Sequence, residues 1–166
     1  MIVVGDIVAA WVAEAAIVDL SKSSRAVGWV TKANALVAGI LYDGFTGSNI
    51  NMHSRILSSE FVTREWLFAI FDYPFNQLGV TRVTGLVNST NRQAIKVNEH
   101  LGWKRETVLK DYFPGADGLV YVMRKEDCQQ LNFIKRVEQE NLNALRPLHD
   151  ASREGFPQTW EELSNS

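Results

Sequence analysis

Apolar residues recur along this chain at two periods, and the switches between them mark out the elements. After Gly5, the positions Ile7, Val8, Trp11, Val12, Ala15 and Ala16 stand three and four apart, which predicts a first helix with Asp6 as its N-cap. Two apolar runs at 26–31 and 36–43 then flank the turn-forming Lys32-Ala33-Asn34-Ala35 and predict a hairpin. A further strand is expected over 50–54, beyond a stretch rich in Gly and Asn. From Thr63 the helical spacing returns in Leu67, Ile70, Phe71, Pro74, Phe75 and Leu78. Pro74 cannot bond the Ile70 carbonyl and should kink or end that helix.

The next stretch carries the sharpest pattern. Val80, Val83, Leu86 and Val87 form a short apolar run that stops at Asn88-Ser89-Thr90-Asn91, any of which can cap a helix starting near Arg92. On that helix Ala94, Ile95, Val97 and Leu101 share one face, and Gly102 follows where a left-handed residue is expected. Asn98 lies in the middle of the apolar face. It is either a core amide with an internal partner or a group aimed at a ligand, because a buried amide without a bond costs about 1 to 3 kcal/mol. Two strands follow, up to Asp127. Helix, antiparallel strands, helix, strand, helix and two strands make a mixed sheet covered by helices.

Composition narrows the choice. A chain of 166 residues, 46% hydrophobic and 22% charged, suffices for one domain with a real core. Its formal net charge of −2, with no Lys/Arg run interleaved with aromatics, argues against nucleic acid as a general partner. A single cysteine, Cys128, excludes an internal disulfide framework, and the lack of a Cys/His cluster argues against a metal site. No apolar run reaches the roughly 20 residues that span a bilayer, and the start has no basic region followed by a cleavage site. A soluble, cytoplasmic protein without a membrane partner is expected.

The motif N-x-x-A-I-x-x-N-E-x-L-G-W at 91–103, set between strands within 79–127, resembles the GNAT superfamily of acyl-CoA-dependent N-acyltransferases. The resemblance covers roughly 5–127, and the wording of 73–83 and 98–103 is similar to a branch found in phages and bacteria, so the host-cell cytoplasm is implied for a phage-encoded chain. It implies an α/β fold with a mostly antiparallel sheet flanked by helices, and acetyl-CoA as co-substrate without a metal. The family's phosphate loop, Q/R-x-x-G-x-G/A, falls on Ser58-Ser59-Glu60-Phe61-Val62-Thr63, where none of the glycines is present. Coenzyme contacts then rest on the helix N-terminus with Ser59, Thr63 and Arg64, on Asn88, Asn91 and Asn98 along the pantetheine arm, and on the backbone of Asn51, Met52 and His53.

For catalysis the resemblance implies direct attack of a primary amine on the thioester, without a covalent enzyme intermediate. His53 stands where members often carry a carboxylate base, and a histidine that titrates near neutrality suits the task. Its plainer role is a strand-end histidine bonded to a loop. Glu65, Glu106 and Asp111 are weaker candidates. Asn98 stands where many members have a tyrosine that protonates the departing thiolate, and an amide cannot be that acid. Tyr112 is a substitute donor or a wall of the pocket. The acceptor can be a protein N-terminus, a lysine, a polyamine or a small-molecule amine. The rival expectation is a catalytically silent protein of the same fold that engages a protein partner.

Beyond Asp127 the resemblance fades. The expected division is an acyltransferase domain at 1–127 and an extension at 128–166, in which Leu131, Ile134, Val137, Leu142 and Leu145 form an apolar stripe before Pro147, and Phe156 and Trp160 follow. That helical extension should pack on the domain, or on a partner chain or second copy.

Overall fold

The computed structural model describes residues 1–131, the side chain of Ser59 excepted. Its strands are β1 (Ile2–Val4), β2 (Arg25–Val30), β3 (Leu36–Asp43), β4 (Asn49–Ile56), β5 (Arg82–Asn88), β6 (Lys104–Phe113) and β7 (Ala116–Arg124). Its helices are α1 (Asp6–Ala16), α2 (Arg64–Asp72) and α3 (Arg92–His100). The strands form one sheet in the order β1-β2-β3-β4-β5-β7-β6. Every pairing is antiparallel except β4 with β5. This is the mixed sheet that the pattern predicted, mostly antiparallel as the resemblance implied.

Alternation along the strands divides the core between two faces. Ile40 and Tyr42 of β3, Ile50 and Met52 of β4, Val83 and Val87 of β5, and Tyr121 and Met123 of β7 point to the larger face. There they meet Trp66, Phe68, Ala69, Phe71 and Phe75 from α2 and the turn after it, together with Trp103. Among the described residues the other face is covered by α1 alone, whose Val8, Ala9, Val12 and Ala13 pack on Ala26 and Leu41. Among the described residues α1 lies over β1 to β4, so beyond β4 this face has no helix on it.

Two details depart from the sequence pattern. Asp6 is the first helical residue rather than the cap. Gly5 takes the cap position at φ 122°, a backbone few side chains tolerate, and its carbonyl accepts from both Val8 and Ala9 N–H at 3.1 Å. With only that residue between β1 and α1, the turn has to be made by glycine. Pro74 ends α2 as expected, yet the chain continues as a π turn over Tyr73–Gln77. The Ile70 carbonyl freed by Pro74 accepts from the Tyr42 hydroxyl at 2.8 Å. Buried Asp72 holds the wider turn through the Asn76 and Gln77 amides, at 2.9 and 2.8 Å.

At the far end Gly102 takes the left-handed conformation after α3, at φ 92°. Cys128 and Gln130 are buried, and the Gln130 amide donates to the Leu101 carbonyl at 3.0 Å. Gln130 thereby satisfies a carbonyl at the C-terminus of α3. Ile134, Val137, Leu142, Leu145, Phe156 and Trp160 lie outside the described residues.

Candidate active site

Strand β4 is paired to β3 from Asn51 to Ile56, but to β5 only through Asn49, Ile50 and Asn51, opposite Arg82, Val83 and Thr84. Past Asn51 the parallel strands part. Among the described residues, the backbone groups of β4 that would face β5 then have no strand beside them. A cleft of about 270 Å³ occupies the gap, lined by β4 over 54–56, by Val62, and by Asn91, Gln93, Ala94, Val97 and Asn98 around the start of α3.

Of the two helices next to the cleft, α3 begins on it and α2 beside it. Thr63 caps α2, its hydroxyl accepting from Trp66 N–H at 3.2 Å, and Val62 beside it lines the wall. Asn88 ends β5 in a turn, accepting from the Thr90 N–H at 2.9 Å and hydroxyl at 2.8 Å, and Asn91 then caps α3 through Ala94 N–H at 3.0 Å. The first N–H groups of each helix have no partner inside it, so α3 presents a partly positive end to the cleft, and α2 begins beside it. The Arg55 guanidinium is committed to α1, donating to the Trp11 carbonyl at 2.9 Å and pairing with Glu14 at 3.0 Å. An anionic or amide-rich ligand suits such a site.

His53 lies on the other face of the sheet and does not line the cleft. It stands two residues beyond the last contact between β4 and β5. The register pairs Asp43 with Asn51 and Leu41 with His53, so Asp43 is diagonal to the histidine across the hairpin. His53 Nε2 lies 3.0 Å from Asp43 Oδ2, and Asn51 Nδ2 donates to Asp43 Oδ1 at 3.0 Å. Burial pushes the Asp43 carboxyl up, but the bonds from His53 and Asn51 and the histidine's charge outweigh it and leave the group below its ordinary value. The polar contacts run on along this face. Asn49 Nδ2 donates to Asn51 Oδ1 at 3.5 Å, the Thr84 hydroxyl to Asn49 Oδ1 at 2.6 Å, and Arg82 Nε to the Thr84 oxygen at 3.0 Å. Arg82 also pairs with Glu106 at 2.9 Å.

The expected site residues thus fall into separate groups. Asn91 and Asn98 line the cleft, and among the described residues the half-buried Asn98 side chain makes no hydrogen bond. Thr63 and exposed Arg64 stand at the start of α2, and Ser59 lies in the 3-10 turn Ser59–Phe61 just before it. The side chain of Met52 is in the core, which leaves only its backbone for a ligand. The Asn51 and Asn88 side chains are engaged by Asp43 and by the turn into α3. Tyr112 is 55% exposed on β6, packed edge-on against Phe113 with centroids 5.0 Å apart. Three strand steps separate β6 from β4, roughly 14 Å at about 4.8 Å per strand, so Tyr112 and His53 are not brought together. Glu106 is bonded to Arg82, Glu65 is exposed at the start of α2, and Asp111 is exposed on β6.

The pattern did not single out Asp43, Asn49 or Thr84. A signal existed: the runs that end at Asp43 and start near Ile50 form a hairpin, and pairing Asp43 with Asn51 sets both beside His53. Among the described residues no group of three or more His, Cys, Asp or Glu side chains is arranged to hold a metal, and no helix is long and apolar enough to cross a membrane.

Comparison with solved structures gives the fold. A chimera of the spermidine N-acetyltransferase SpeG from Vibrio cholerae and hSSAT superposes with a TM-score of 0.56 at 16% identity, over 68% of this chain and 73% of that one. The ribosomal-protein-S5-alanine acetyltransferase of Vibrio fischeri gives 0.52 at 17% identity, over 64% of each chain. A GNAT-family acetyltransferase from Bacillus anthracis gives 0.50 at 18% identity, over 63% of this chain and 67% of that one. Neither a protein-family model nor a curated protein matches the chain. At such identities the likeness is one of architecture: the chain has the fold of the GNAT acetyltransferases.

Proposed function

We propose that this chain is an N-acetyltransferase that takes its acetyl group from acetyl-CoA and passes it to a primary amine. The observation that carries the reading is the parting of β4 and β5 into a cleft at which α3 begins and beside which α2 begins, with a histidine just past the parting. The residues present fit the coenzyme. Its arm is a chain of amides, which the unpaired edge of β4 and the Asn98 amide can bond, and its phosphates suit the N-terminus of α2 with Thr63 and Arg64. The missing loop glycines leave this contact to the helix end itself.

When bound, acetyl-CoA supplies an acyl carbon activated as a thioester whose thiol, with a pKa near the 8.5 or so of cysteine, leaves readily without a strong acid. Aminolysis also needs a neutral amine and a group that takes its proton as the new bond forms. His53 fills that role on the α1 side of the sheet, just past the parting, with its side chain 19% exposed. Cys128 is unsuited to a covalent route, because it is buried and its thiol is pushed up to about 11 by that burial. The acceptor is an amine of a class that the neighbours' names illustrate at two extremes, spermidine and an alanine of a ribosomal protein.

The test starts with binding. Acetyl-CoA at millimolar concentration should raise the melting temperature, since a ligand selective for the folded state at 100 times its Kd adds about 2.7 kcal/mol. Release of free thiol should then depend on added amine across a panel of peptides, polyamines and small amines. Absence of both a melting shift and coenzyme-bound protein in native mass spectra would sink the proposal. Binding without transfer to any amine would favour the catalytically silent alternative.

A further inference from the structure

We infer that Asp43 is the positioning residue for His53: it holds the Nε2–H and so makes Nδ1 the nitrogen that takes the acceptor's proton. The inference rests on the acyltransferase reading and deepens it, since it concerns which atom of the base is used and what holds it there.

The argument begins with the carboxylate. Asp43 receives one partner on each oxygen, His53 Nε2 on Oδ2 and Asn51 Nδ2 on Oδ1, both at 3.0 Å. An ionised carboxylate can only accept, so Nε2 must carry a hydrogen, and a neutral imidazole then has its lone pair on Nδ1. Asp43 and His53 are about equally shielded, with side chains 20% and 19% exposed, so the bond is only partly open to competing water. The low carboxyl of Asp43 agrees with an anion at neutral pH.

Asp43 is in turn held from behind. Asn51 donates to it and accepts from Asn49, whose carbonyl receives the Thr84 hydroxyl at 2.6 Å. Thr84 is the residue opposite Asn51 in the last contact between β4 and β5. The clamp therefore joins three strands at the point where the cleft opens. Gly44 makes room for it: a Cβ there would stand 2.5 Å from Asn51 Nδ2, at a backbone φ of 59°. A satisfied polar cluster of this kind fixes ring orientation as well as tautomer.

The step balances without a further reactant. The amine nitrogen bonds to the acyl carbon, the carbon–sulfur bond breaks, and the proton from the amine goes to His53 Nδ1 and then to the released thiolate or to water. Asp43 stays ionised throughout and faces the imidazolium while it is positively charged.

Two measurements on the full chain test this. The first reads the tautomer from nitrogen and proton shifts of the neutral ring. The protein has three histidines, so His53 is assigned by comparison with His53→Ala. An Nε2–H ring is expected, and Asp43→Asn should lose that preference. An Nδ1–H ring in the unsubstituted protein overturns the inference. The second is a cycle of turnover rates. Asp43→Asn alone should lower kcat/KM for the amine about 10- to 100-fold, the range seen for carboxylate partners of metal-bound histidines, and Asp43→Glu should recover part of it. Added to His53→Ala, Asp43→Asn should change nothing further while coenzyme affinity stays the same. Multiplied losses, or a lost coenzyme affinity, would make Asp43 a general structural residue and overturn its role. If the unsubstituted protein neither binds acetyl-CoA nor releases thiol, the acyltransferase reading fails, and the tautomer still decides whether Asp43 holds Nε2–H.

Discussion

Single residues already show where the chain sets chemistry apart from packing. His53→Ala should lower amine-dependent turnover by roughly 10²- to 10⁴-fold, the usual share of a general base, and much of the loss should return at high pH where the amine is neutral unaided. Asp43 has a stability signature of its own. Its carboxyl is lower in the folded chain than its ordinary 3.8, so its contribution is present above that value and lost as pH falls through the folded one. Urea titrations at pH 7 and pH 3 should show Asp43→Asn losing less stability on acidification than the unsubstituted protein. Equal losses would mean that the Asp43–His53 hydrogen bond adds nothing. Ile17, at the end of α1, has a left-handed backbone (φ 55°) and is 92% exposed. A β-branched residue is strained there, so Ile17→Gly should add about 1 kcal/mol. The helix caps at Asn91 and Gly102 were legible because they depend on neighbours in sequence. Asp43 was not, because its partners come from the register of a hairpin, which no single run of residues displays.

Among the elements, α2 and its π turn show how one imino acid shapes the core. Pro74 leaves the Ile70 carbonyl without its helical partner, and the Tyr42 hydroxyl, from the adjacent face of β3, fills that vacancy. Tyr42 is fully buried, and burial, with Tyr73 and Asp72 nearby, raises its phenol well above the ordinary value, so it stays a donor at any working pH. Tyr42→Phe should cost about 1 to 3 kcal/mol, the price of a buried carbonyl left unpaired, and denaturant titration measures it directly. A change below a few tenths would mean that water replaces the hydroxyl. The sequence foretold a break at Pro74, since the loss of a donor is a local fact. It did not foretell a π turn, which depends on Asp72 reaching the Asn76 and Gln77 amides and on aromatic packing between Phe71 and Phe75. Strand β1 was missed for a related reason: three half-buried residues show no period, and only pairing with β2 makes them a strand.

For the whole molecule, the parallel seam between β4 and β5 is where a continuous sheet gives way to a cleft. Only three residue pairs join the strands there, while the β5–β7 and β3–β4 ladders on either side are longer. The alternating pattern made the architecture legible, but not the length of this contact, because parting strands and paired ones have the same apolar period. The seam makes a prediction about coenzyme binding that is independent of turnover. Acetyl-CoA should slow amide exchange in β4 beyond Asn51 and in the first turns of α2 and α3, which begin beside the cleft and on it. The exposed edge strand β6, remote from the cleft, should be unchanged. Arg64→Ala should weaken the coenzyme by about 1 to 3 kcal/mol if its guanidinium assists the phosphates, and the protection at α2 should fall with it. A chain ending at Leu131, which keeps Cys128 and Gln130 in place, should retain the whole exchange pattern, because every group invoked precedes that residue. If protection instead spreads over β6, or if α2 is untouched while β4 is protected, the phosphates do not lie at the start of α2 and the match of Ser58 to Thr63 with the family's phosphate loop is wrong.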